Sequence, residues 1–112
     1  MSAPSQQPAS DRLAYLASLA GVTAETEPAQ AAADILSRSR SAIANHGGHP
    51  NGAWSMREQL AVALVLKDRE HLEAMGYTPT EAARAVADGM YFPPADVTGW
   101  LDGIRAQLGA EG

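Results

Sequence analysis

The sequence contains no cysteine. That absence excludes a disulfide scaffold, thiolate zinc sites, iron–sulfur clusters and cysteine nucleophiles. Basic side chains are scarce: eight Lys and Arg, of which only Lys67 is a lysine, stand against 13 Asp and Glu, for a formal charge of −5. Electrostatic coating of nucleic acid or of an anionic lipid surface needs the opposite balance, so neither is an expected partner. Long apolar runs are missing as well. The longest, residues 60–66, is seven residues, against the roughly 20 that a spanning helix requires. Residues 1–9 have no basic side chain and no apolar core, so they do not read as a secretory signal. By elimination, the expected location is the cytoplasm.

Large aliphatic residues are few: Leu, Ile, Val and Phe number 19 of 112, a level near which disorder competes with folding. Alanine takes their place, at 23 of 112. It is the best helix former and lets helix backbones approach closely. Moderate charge and strong 3.6-residue periodicity favour a folded core over disorder. The expected fold is all-α: a compact bundle of four to five short helices over residues 10–109, with a disordered tail at 1–9 and a frayed end at 110–112.

Local signals place the elements. Ser10 or Asp11 caps a first helix whose apolar face is Leu13, Leu16, Leu19 and Ala20, and Gly21 ends it. Thr26 or Glu27, followed by Pro28, opens a second. Its stripe is Ala32, Ile35, Leu36 and Ile43, with Asp34 and Arg38 paired on the outer face at i, i+4. The Gly- and Asn-rich segment 46–53 is a loop. Ser55-Met56-Arg57-Glu58 fits a capping box, with Trp54 packing down on the first turn. The third helix then runs from this cap to Gly76, and its apolar residues cover roughly 240° of its surface at 100° per residue. It should be central, with Leu64 in the core; a buried strand is the competing reading of residues 60–66. Thr78-Pro79-Thr80-Glu81 is a second capping box and starts a fourth helix that ends at Gly89. A fifth starts near Pro94, carries Val97, Leu101, Ile104 and Leu108 as a narrow stripe, and ends at Gly109.

No catalytic motif emerges. His46 and His49 sit in the glycine-rich loop, but two ligands do not make a zinc site, so no metal or other cofactor is expected. His71, between Glu70 and Glu73, reads as a solvated helix residue. Glu58, Asp68, Glu70 and Glu73 interleave with Arg57, Lys67 and Arg69 as an exposed ion-pair face. There is no phosphate-cradling glycine loop and no nucleophile elbow. An enzyme is not expected.

Aromatic side chains number six, and Tyr91, Phe92 and Trp100 fall within ten positions, beside Met90. Large side chains so placed either close the end of a core or form an interface centre, where aromatics and Met are enriched. The fifth-helix stripe is complete without them. The candidate partner-binding residues are therefore Met90, Tyr91, Phe92 and Trp100, with Arg84 and Arg105 at the rim.

Two resemblances bear on function. Tyr77-Thr78-Pro79-Thr80-Glu81-Ala82-Ala83-Arg84-Ala85-Val86 resembles the opening of excisionase-like and MerR-like helix-turn-helix domains. It implies a first helix there and a DNA-reading helix over residues 94–108. The turn 89–94 is longer than in those families, and residues 79–112 carry two basic against five acidic side chains, a balance unlike that of a DNA reader. Residues 54–77 resemble small proteins of actinobacterial phages and mobile elements, which implies an accessory role in modulating another protein. The expected function is a non-catalytic protein–protein interaction module, with a homodimer as one form. The alternative is a helix-turn-helix DNA-binding or transcriptional accessory protein.

Overall fold

The computed structural model describes residues 9–111. Of the expected tail at residues 1–9, residues 1–8 lie outside the described residues, as does Gly112, and Ala9 is helical. Among the described residues six helices form: α1 (Ala9–Leu19), α2 (Thr26–Asn45), α3 (Met56–Leu66), α4 (Arg69–Met75), α5 (Pro79–Asp88) and α6 (Val97–Glu111). No strand occurs among the described residues, and the apolar run 60–66 is helical. The fold is all-α, with more helices than the four to five expected.

The extra helix comes from a break in the expected third one. Lys67 adopts the left-handed conformation at φ 54°. The Asp68 N–H bonds the Ala63 carbonyl at 2.8 Å and the Lys67 N–H bonds the Leu64 carbonyl at 3.2 Å, which closes α3. The Asp68 carboxylate then accepts the His71 N–H at 3.1 Å and caps α4. Leu72 and Met75 therefore belong to a separate, reoriented helix, not to the arc of α3.

Both capping boxes form as expected. Ser55 Oγ accepts the Glu58 N–H while Glu58 Oε1 accepts the Ser55 N–H. Thr78 and Glu81 repeat the exchange, with Pro79 at the start of α5. The Ser55 box starts α3, which touches α2, α4, α5 and α6 and is the centre of the bundle. Leu60, Ala61, Val62, Ala63 and Val65 are buried on it, whereas Leu64 is only half-buried and packs against the cluster from outside. Ile35 and Leu36 of α2, Leu72 of α4, Ala82 and Val86 of α5, and Leu101 and Ile104 of α6 complete the core. The α6 stripe is as expected. The helix itself begins three residues after Pro94, because the Asp96 carboxylate caps it by accepting the Gly99 N–H at 2.9 Å. It also passes through Gly109 to Glu111.

Two expected stripes do not stay in the core. On α2 the buried line runs through Ile35, Leu36, Ser39 and Ala42, and Ile43 is 54% exposed. On α1, Leu16 and Leu19 are 43% and 69% exposed, since among the described residues no other helix packs against α1. Leu13 lies outside the residues whose surroundings are described, and α1 starts at Ala9, so Ser10 and Asp11 fall within it.

Candidate functional site

The connection from α5 to α6, residues 89–96, is held by side chains from two distant helices. Glu27, in the first turn of α2, accepts the Tyr91 N–H at 3.0 Å and the Phe92 N–H at 2.5 Å. Arg57, in the first turn of α3, donates through Nη1 to the Gly89 carbonyl. Gly89 has an ordinary negative φ, and its role is spatial: a Cβ there would collide with the Arg57 guanidinium. An acid from α2 and a base from α3 thus pin the turn.

The pinned turn closes one side of a cleft of about 320 Å³. Its deep surface is apolar, made by the buried Ile35, Ala61 and Val86 together with Trp100. Met90 and Tyr91 form the lip on the turn side. Glu27, Asp34, Glu58 and Arg57 supply its charged lining, three carboxylates to one guanidinium. Arg38 organises the acidic side: Nε pairs with Asp34 Oδ2 at 2.9 Å, and Nη2 crosses from α2 to Glu58 Oε2 at 2.8 Å. Its guanidinium also stacks over the Trp54 ring, 5.2 Å from the centroid. The Asp34–Arg38 pair was legible from spacing; the crossing to Glu58 was not. The Ser55 N–H, above all, holds the Glu58 carboxyl below its ordinary range; partial burial opposes this, and the Ser55 hydroxyl, Arg38 and Arg57 add to it.

Met90, Tyr91 and Trp100 meet at this cleft, Met90 half-buried and Tyr91 39% exposed. Trp100 is shared, packing against the core cluster as well. Phe92 is half-buried beside the lip, its N–H on Glu27, and is not among the lining residues. Arg84 and Arg105 are exposed and do not line it. Arg84 is three residues past Glu81 and adds to the hydrogen bonds from Thr78 that hold the Glu81 carboxyl low. Arg105 lines a different groove, with Ile43, Leu66 and Leu108. The rim charges are instead Glu27, Asp34, Glu58 and Arg57, which sequence separation concealed.

The histidines do structural work elsewhere. His49 Nδ1 pairs with Asp68 Oδ2 at 2.5 Å. His71 Nε2 meets Gln59 Oε1 at 2.9 Å, and Gln59 Nε2 donates to the carbonyls of Gly52 and Trp54. His46 stands edge-on to Trp54 with centroids 6.0 Å apart. Together they stitch the loop 46–55 to the α3–α4 corner. His71 is therefore half-buried and bonded, and the Asp68 side chain is 6% exposed, so neither belongs to a solvated face as expected. Among the described residues, no group of three His, Asp or Glu is arranged to hold a metal ion. No helix among them is long and apolar enough to cross a membrane.

α5 and α6, the two helices of the helix-turn-helix resemblance, pack on each other across the connection 89–96. Comparison with protein-family models, with curated proteins and with solved structures returned no match.

Proposed function

We propose that this chain is a non-catalytic binding module that docks a segment of a partner protein in the cleft between α2, α3, α5 and the turn 89–92. One observation carries the proposal: an apolar floor lies open beneath a lip, Met90 and Tyr91, whose backbone is fixed by Glu27 and Arg57. A fixed lip means that little conformational freedom is lost on binding. The floor suits one bulky apolar side chain. The acidic side suits a Lys or Arg next to it in the partner, since complementary charge steers encounter and fixes register. The accessory role implied by the phage-protein resemblance is compatible with such a module.

Selection from a displayed random-peptide library tests the proposal. The expected outcome is enrichment of peptides with an aromatic or large aliphatic residue adjacent to Lys or Arg. Tyr91→Ala then weakens the selected peptide by more than about 1 kcal/mol, as interface anchors do. Selected peptides indifferent to Tyr91→Ala and to Met90→Asp would contradict it. A low-salt DNA titration in parallel distinguishes the helix-turn-helix reading, which requires a steep salt dependence.

A further inference from the structure

We infer that the chain pairs with a second copy of itself, each α1 docking in the other copy's groove between the C-terminal ends of α2, α3 and α6. Among the described residues, two apolar surfaces are largely open to solvent. The first is α1, whose Tyr15, Leu16 and Leu19 fall within a 100° arc and are 63%, 43% and 69% exposed. A helix of 11 residues is marginal in water unless it packs on something, and among the described residues it meets no other helix. The second is a groove of about 480 Å³ whose apolar lining is Ile43, Val65, Leu66 and Leu108. Ile43 has the right angular position for the α2 stripe, yet it is 54% exposed.

Charge matches the two surfaces to each other. The chain is −5 overall, so copies repel across most of their surface. α1 has one acid and one base, Asp11 and Arg12, and the groove has one of each, Asp102 and Arg105. Each element thus carries no net charge on an acidic molecule, which spares two copies the repulsion they meet elsewhere. This gives Arg105 a place at an interface, though not at the cleft.

A copy's own α1 cannot fill its groove. The link 20–25 is folded tight: the Val22 N–H returns to the Ala17 carbonyl, and Thr23 and Thr26 bond each other reciprocally. Leu19 is thereby tethered near the start of α2, whereas Ile43 lies 17 residues further along it, roughly 25 Å at 1.5 Å per residue. The helix that reaches the groove must come from elsewhere. A second copy supplies helix and groove at once, so a two-fold exchange makes the contact twice. Doubling is what lets a short helix approach the roughly 1,200–2,000 Å² of a stable interface.

Sedimentation equilibrium of the full chain tests the pairing. The wild type is expected to be a reversible dimer. Ile43→Asp, at an exposed position that leaves the core untouched, raises the dissociation constant at least about tenfold. The double substitution Leu16→Asp, Leu19→Asp does the same from the other side. Mixing the two variants gives a heterodimer tighter than either variant with itself and weaker than the wild type, because the intact helix of the first meets the intact groove of the second while the other contact stays broken. A wild type that stays monomeric up to its solubility limit would overturn the inference. So would a dimer that Ile43→Asp leaves unchanged, which would place the contact between the helices themselves or on another face.

Discussion

The carboxylate of Glu27 receives the backbone N–H of Phe92 across 65 residues of sequence. One side chain on α2 therefore holds a wall of the cleft that α5 delivers. Two charge-assisted hydrogen bonds end on it, to Tyr91 and Phe92, and such bonds each contribute about 1.5–3 kcal/mol when the charged partner is fixed. Glu27 is half-buried, so the expected loss on Glu27→Ala is smaller than their sum, about 1–3 kcal/mol. The diagnostic readout is local: amide hydrogen exchange at Tyr91 and Phe92 accelerates far more than at Leu101 in α6. Uniform acceleration would show that Glu27 supports the bundle generally and does not pin the turn.

The core prediction rests on Leu60, fully buried on the central helix. Leu60→Ala should destabilise by about 2–5 kcal/mol. Leu64→Ala, four residues on and half-buried, should lose clearly less. Denaturant midpoints at equal slope decide the order, and a reversed order would mean that α3 is rotated about its axis.

How much of this was legible beforehand differs between levels. The two capping boxes and the α6 stripe are local patterns, and each formed where the residues put it. The break at Lys67 was hidden because residues on both sides continue one helical period. Asp68 is a good N-cap residue, but a lysine in the left-handed conformation leaves no mark in sequence. The apolar side chains that meet at the cleft are half legible in the sequence: Met90, Tyr91 and Trp100 stand out as unclaimed by any stripe. Their polar frame is not, since Glu27 and Arg57 are 64 and 32 residues from the atoms they bind, a juxtaposition only the packing of three helices creates. Arg84 and Arg105 lie near these residues in sequence, but both are exposed and neither lines the cleft.

Ser39 is fully buried and its hydroxyl has no hydrogen-bond partner among the described residues. An unpaired buried hydroxyl opposes folding, whereas alanine fits the same space without a polar atom to satisfy. Ser39→Ala is expected to be neutral or stabilising in thermal melts. A loss above about 1 kcal/mol would show that the hydroxyl does have a partner.

The His49–Asp68 pair makes stability depend on pH. The hydrogen bond to Asp68 and then its charge raise the His49 pKa above its ordinary 6.5, burial opposing slightly and Glu70 assisting. A raised folded value means that the stabilisation is fully present below about pH 6.5 and is lost as pH rises through the folded pKa. Asp68→Asn keeps a capping residue for α4 while removing the charge. In the wild type the His49 ring should titrate above 6.5 by NMR, and in the variant near it. The wild type's advantage over Asp68→Asn in melting temperature should shrink from pH 6 to pH 8. An advantage constant over that range would assign the effect to capping alone.

Whether the cleft is where a partner docks is tested most directly by amide and indole NMR shifts during titration with the library-selected peptide. Perturbations are expected to centre on Ile35, Ala61, Val86, Met90, Tyr91 and the Trp100 indole N–H, with Arg57 and Glu58 moving with them. Perturbations confined to another face, with the 89–92 turn and Trp100 unmoved, would contradict it.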